Sequence, residues 1–178
     1  MGACGSSGRS GADGKYTSNP AAYGDGAGAA GHASSDPPPQ PGLPAMHEGA
    51  IFDTAIAGRS HIATAGEDGR VVLTNWRTQE VCDTWVGHTK VVNRVVCGRW
   101  PNGDGSFGRF VYSASRDATV CQWARGQASP VARFEGHEMT VNAIDTDEQE
   151  TVLCSGSRDN TVRVWDIATS REVTTTAA

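Results

Sequence analysis

Three groups of residues have the composition of a hydrolytic triad: His88, Ser113 and Asp117; His137, Ser155 and Asp159; and His47, Thr64 and Asp68. A hydroxyl beside a histidine that a carboxylate orients is the arrangement that makes a nucleophile for acyl transfer. Hydrolysis also needs an exposed oxygen next to an oxyanion hole, and the chain has no G-x-S-x-G elbow. Three copies at matching spacing point to architecture, so no catalytic residue is assigned.

A second chemistry sits at the start of the chain. Met1-Gly2-Ala3-Cys4-Gly5-Ser6 fits the N-myristoylation pattern, with Gly2 as the acylated amine once Met1 is removed. One myristoyl chain binds membranes only marginally, so a stable anchor needs a second signal. Arg9 and Lys15 are the only basic residues before position 47, and three aspartates offset them. Cys4, as a palmitoylation site, is therefore the expected second signal. These residues predict a cytoplasmic protein held peripherally on a membrane surface.

Other groups carry less. Asp145-Thr-Asp147-Glu-Gln-Glu150 has the acids of a calcium loop but lacks its sharp-turn glycine, so a solvated hairpin turn is expected. Five cysteines with no C-x-x-C pair fit neither a disulfide framework nor a zinc knuckle, and no metal or cofactor is assigned. Pro37 to Pro44 contains P-x-x-P spacings without a flanking Arg or Lys, which suits a stiff spacer better than an SH3 ligand. The net charge of −5 gathers no basic patch, so nucleic acid is not an expected partner. No apolar run has transmembrane length, and no signal-peptide core opens the chain.

The elements that must position the triad-like groups are repeats. Ser113-Ala-Ser-Arg-Asp-Ala-Thr-Val-Cys-Gln-Trp123 and Ser155-Gly-Ser-Arg-Asp-Asn-Thr-Val-Arg-Val-Trp165 are one phrase written twice, 42 residues apart. Thr64-Ala-Gly-Glu-Asp-Gly-Arg-Val-Val-Leu-Thr74 is a third copy. Each unit reads as four short antiparallel strands. In the third they fall at Thr140 to Ile144, Thr151 to Ser155, Thr161 to Trp165 and Glu172 to Thr176, with an acidic turn from Asp145 to Glu150 and a tight one at Ser157 to Asn160. The second unit is longer because Trp100 to Gly108 swells the loop between its first two strands. Residues 1–46 are different: 31 of them are Gly, Ala, Ser or Pro, and Leu43 is their only Val, Ile, Leu, Phe or Trp. Such a segment cannot bury enough apolar area to offset the entropy of ordering it, so a disordered tail is expected.

Repeats of this length with Gly-His and Trp-Asp marks resemble the WD40 family over residues 47–178. The resemblance implies an all-β fold: a partial β-propeller of three four-stranded blades, at about 47–87, 88–136 and 137–178. It also implies hydrogen-bonded tetrads, His88–Ser113–Asp117–Trp123 and His137–Ser155–Asp159–Trp165. In the first blade Thr74 stands where the Trp belongs and Trp76 comes two residues late, so that blade is expected to be the least rigid. The stretch from Asp68 to Asn75-Trp76-Arg77, the Cys154-Ser-Gly-Ser-Arg-Asp-Asn-Thr161 phrase and the Met-Gly start are similar to the WD repeat-containing protein 31 family. That likeness implies a ciliary role beside regulators of small GTPases.

The function these features imply is a non-enzymatic scaffold for other proteins. Glu67, Arg116 and Arg158 each precede a turn aspartate, on the loops such propellers use for partners, and arginine forks suit carboxylate or phosphorylated segments. Rings of this kind close with about four to eight blades. A longer native protein, or a three-blade piece that must associate, is therefore the alternative expectation.

Overall fold

The computed structural model describes residues 42–98 and 109–177. The acylation motif with Gly2 and Cys4, the proline-rich segment up to Pro41 and the insertion from Trp100 to Gly108 lie outside those residues.

Runs rich in β-branched and aromatic residues form twelve strands, and Gly, Asp, Asn and Ser punctuate them. Blade 1 comprises β1 (Ile51–Ala57), β2 (His61–Gly66), β3 (Arg70–Asn75) and β4 (Glu80–Val86). Blade 2 comprises β5 (Val92–Cys97), β6 (Val111–Ser115), β7 (Thr119–Trp123) and β8 (Ala132–Glu135). Blade 3 comprises β9 (Val141–Thr146), β10 (Val152–Ser157), β11 (Thr161–Asp166) and β12 (Arg171–Ala177). Every sheet is a four-stranded antiparallel meander in chain order. The β9 strand runs two residues beyond its expected end, because Asp147 closes a shorter turn by accepting the Thr151 and Val152 N–H groups at 2.7 and 2.8 Å.

The tight turns between second and third strands share one backbone solution. Gly69, Ala118 and Asn160 occupy the same place with φ of 77°, 70° and 66°. Glycine and asparagine tolerate this left-handed conformation, whereas Ala118 bears its steric cost.

Cross-strand pairing puts Val71 beside Trp85, Val120 beside Phe134 and Val162 beside Thr176. The first two pairs face the next blade and are buried by it. Ala65, Val71, Leu73 and Trp85 of blade 1 pack on Val92, Val95, Val111 and Trp123 of blade 2. Tyr112, Ala114, Val120 and Phe134 then pack on Val141, Ile144, Leu153 and Trp165 of blade 3. Trp85 stacks on Trp123 at 6.1 Å, and Phe134 meets Trp165 edge-on at 5.8 Å. The core thus lies between blades. On the corresponding face of blade 3, Val162 is 50% exposed.

Candidate functional site: three histidine locks and the turn rim

Each lock ties four segments of a blade together. In blade 2, His88 from the inter-blade loop places Nδ1 2.9 Å from Asp117 Oδ2 and Nε2 2.8 Å from Ser113 Oγ. The Trp123 indole N–H donates to the same Ser113 Oγ at 2.7 Å. Blade 3 repeats the arrangement: His137 lies 2.8 Å from both Asp159 and Ser155, and Trp165 donates to Ser155 at 2.8 Å. A carboxylate can only accept, so the imidazole carries a proton on Nδ1 facing the aspartate, and in the neutral ring Nε2 is then the acceptor for the serine hydroxyl.

This is the connectivity of a hydrolase triad with its nucleophile closed off. Ser113 is 0% exposed and Ser155 2%, and the indole N–H is hydrogen-bonded to the oxygen that would attack. Burial pushes the Asp117 carboxyl up, but hydrogen bonds from His88, the Thr119 hydroxyl and the Thr89 N–H outweigh it and hold the group below the usual carboxylate range. Asp159 is held low in the same sense: burial opposes, while Thr161, the Glu138 N–H and His137 prevail. The threonine is a fifth member of the lock, donating to the aspartate at 2.7 Å from Thr119 and 2.6 Å from Thr161. Its signal was present in the sequence as the shared Asp-x-Thr spacing.

The glycine of each Gly-His pair also has a physical cause. A Cβ on Gly87 would lie 2.9 Å from Trp123 Cη2, and one on Gly136 would lie 3.2 Å from Trp165 Cη2. The tryptophan edge occupies the space a side chain would need.

Blade 1 keeps the polar part of the lock. His47 stands 2.9 Å from both Asp68 and Thr64. Thr74, at the tryptophan place, is 0% exposed and donates to Met46 Sδ at 3.2 Å. Met46 precedes His47 as Gly87 and Gly136 precede theirs, and composition alone placed it in the tail. Its thioether touches both Thr74 and Thr64, the threonine at the serine place, so the missing indole has a substitute from the neighbouring strand entry.

The three turn residues differ in their surroundings, although all are exposed. Glu67 accepts the Ala50 N–H at 3.2 Å. The Arg116 guanidinium sits 5.6 Å over the Phe52 ring. For the Arg158 side chain no ion pair or hydrogen bond is found among the described residues. Phe52 went unnoticed in the sequence because its position depends on a bulge: pairing of β1 with β2 skips it between Ile51 and Asp53. The β5 and β9 strands skip Asn93 and Asn142 at the same place.

Other candidates disperse. The acids of Asp145 to Glu150 diverge, since Asp147 closes its own turn while Glu150 reaches blade 2. Among the described residues no group of three or more His, Cys, Asp or Glu could hold a metal ion. Burial pushes the Cys97 and Cys121 thiols up to about 12, which removes them as nucleophiles.

Three antiparallel four-stranded blades stacked face to face, each held by a histidine lock, form a partial β-propeller. The model of the family "WD domain, G-beta repeat" matches residues 79–124 and 128–166. Those stretches carry both complete tetrads, and β1 to β3 of the first blade lie outside them. Eukaryotic translation initiation factor 3 subunit I of Neurospora crassa is 33% identical over 85 residues, 48% of this chain and 22% of the relative. The same subunit of Mycosarcoma maydis is 35% identical over 85 residues, again 48% and 22%. The Botryotinia fuckeliana subunit is 28% identical over 85 residues, 48% and 23%. The matched part of this chain thus spans less than a quarter of these relatives.

Proposed function

We propose that the chain is a non-enzymatic scaffold that binds other proteins at the rim carrying Arg116 and Arg158 and is tethered to a cytoplasmic membrane surface by acyl chains on Gly2 and Cys4. The observation that carries the scaffold reading is the closed lock: both serines that resemble nucleophiles are buried and bound on two sides. The rim offers what a partner needs, an exposed aromatic ring with a guanidinium over it and a second arginine at the same place in the next blade. Exposed Trp, Tyr, Phe and Arg are the side chains from which interface hot spots are built. A bridging acidic or phosphorylated segment would gain charge-assisted hydrogen bonds of about 1.5–3 kcal/mol each.

The test pairs recovery of native partners with fractionation. Arg116→Glu with Arg158→Glu is expected to weaken partner recovery while the melting transition stays in place; unchanged recovery would refute the rim. Gly2→Ala is expected to release the tagged protein to the soluble fraction, and Cys4→Ser to leave it loosely bound. A wholly soluble wild-type protein whose N-terminal peptide has no acyl mass would refute the tether.

The likeness to the WD repeat-containing protein 31 family supports a ciliary place for this scaffold, with small-GTPase regulators among its partners. The initiation-factor relatives support a second reading, in which the blades seat the chain as a subunit of a translation initiation factor. Imaging in ciliated cells, set beside co-sedimentation with initiation complexes, decides between them.

A further inference from the structure

The junction between blades 2 and 3 differs in kind from the junction between blades 1 and 2. At the position filled by Leu73 in blade 1 and Val164 in blade 3, blade 2 has Gln122, 4% exposed. Gln122 Nε2 donates to the Tyr112 hydroxyl at 3.2 Å, and that hydroxyl donates to Glu150 Oε2 at 3.1 Å. Tyr112 stands where blade 1 has Ala63. Glu150 comes from the β9–β10 turn of blade 3 with φ of 53°, and its other oxygen accepts the Arg109 N–H at 3.2 Å. Gly98 leaves room for this carboxylate, since a Cβ there would collide with it.

A polar chain in a slot that a neighbouring blade fills with leucine and alanine is a poor way to gain stability. It borders a cavity of about 690 Å³ lined by Gln122, Glu150, Phe110, Ile167, Arg109 and Arg125. Both arginines are exposed, and Arg125 lies 3.5 Å from Asp83 at the surface. The β7–β8, β9–β10 and β11–β12 turns that surround the cavity lie at the end of the blades opposite the Arg116 and Arg158 turns.

We infer that this cavity is a second binding site, for an extended peptide segment that places an acidic side chain between Arg109 and Arg125 and lays its backbone amides against Gln122 and Glu150. Two arginines in the lining match a carboxylate. A carboxamide and a carboxylate on the wall match the donor and acceptor of a peptide bond. Phe110 and Ile167 give the apolar wall that such pockets share.

The experiment uses the full chain and a fluorescein-labelled heptapeptide, Gly-Ser-Ala-Glu-Ala-Ser-Gly, followed by anisotropy beside the same peptide with Gln or Lys at its centre. Saturable binding of the glutamate peptide is expected, at least tenfold weaker for the Gln and Lys peptides, and lost in Arg109→Ala with Arg125→Ala. Gln122→Leu serves as the second variant: it is expected to melt no lower than the wild type while binding the peptide at least fivefold more weakly. Equal binding of the Glu and Gln peptides, or no saturation with the wild type, would overturn the site. So would a Gln122→Leu protein that melts lower yet binds normally, since the polar chain would then be structural. Because this site and the turn rim lie at opposite ends of the blades, Arg116→Glu with Arg158→Glu should leave the peptide titration unchanged.

Discussion

The Thr74 hydroxyl donates to the sulfur of Met46 at 3.2 Å, at the place where the other two blades set a tryptophan edge against a glycine. Blade 1 has inverted a size pair: large and small became small and large. The expectation that this blade is loose for want of an indole therefore meets a compensating side chain that enters from the residue before His47.

The inversion predicts strong coupling. Met46→Gly alone removes the filler and should cost about 1–2 kcal/mol, below the usual 2–5 for a buried methionine because Met46 is half-buried. Thr74→Trp alone overpacks the same space and should cost about 1–3 kcal/mol. The double variant recreates the glycine–tryptophan pair and should recover at least about 1 kcal/mol relative to additivity, within the range seen for touching residues. Urea melts of the four proteins measure this, and strict additivity would show that the two residues do not substitute for the pair.

The locks should fail unequally. Ser113→Ala leaves both His88 Nε2 and the Trp123 N–H buried without a partner, at about 1–3 kcal/mol for each group. Thr64→Ala removes the partner of His47 Nε2 but strands no indole, and should cost about half as much. Thermal melts rank the two, and a Ser113→Ala protein of wild-type stability would contradict a structural role for that serine.

Among Gly69, Ala118 and Asn160, which share one place in the turns between second and third strands, Ala118 suits left-handed backbone least. Left-handed backbone costs a residue with a Cβ about 1–2 kcal/mol, and glycine returns about 0.4–1 kcal/mol of that through its freer unfolded state. Ala118→Gly should therefore stabilise by about 0.5–1 kcal/mol, a net of those two effects. Gly69→Ala should shift the melting temperature the other way, because a Cβ there would also come 3.2 Å from the Lys90 carbonyl.

The repeats were legible because each lock needs its hydroxyl, carboxylate and strand-end residue at fixed separations, so Ser, Asp and Trp recur in register in blades 2 and 3 and Thr64, Asp68 and Thr74 keep that register in blade 1. Met46 was not, since a thioether that fills a hole carries no spacing and its neighbours in sequence have the composition of a tail. Phe52 was hidden because a bulge is fixed by the register of the partner strand, not by the residue that bulges. Glu150 reads locally as one more acid in a solvated turn. Only packing between blades brings it to Tyr112 and the Arg109 backbone, 38 and 41 residues away along the chain.

Stability should rise out of the acid range and then decline toward neutral pH, because two sets of carboxyl groups pull in opposite directions. Asp68, Asp117 and Asp159 are held more acidic in the fold than in the unfolded chain, since the hydrogen bonds of the three locks outweigh burial. As the pH drops through the ordinary aspartate range, about 4, the unfolded chain takes up protons first and unfolding is favoured. Their contribution is complete above that range and is lost below it. Glu150 behaves the other way: burial raises it above its ordinary value, against the opposing hydrogen bonds from Tyr112 and the Arg109 N–H. Its neutral form suits the cradle, so its contribution is complete below about pH 4.5 and is lost as the pH rises through the raised folded value. Melting temperatures at half-unit steps from pH 2.5 to 7.5 separate the two limbs. Glu150→Gln should flatten the decline on the neutral side and leave the acid side alone. Asp117→Asn should lower stability at neutral pH and make the acid limb shallower. A wild-type curve that rises steadily from pH 4.5 to 7.5 would show that the Glu150 carboxylate is better accommodated beside Tyr112 than its burial implies.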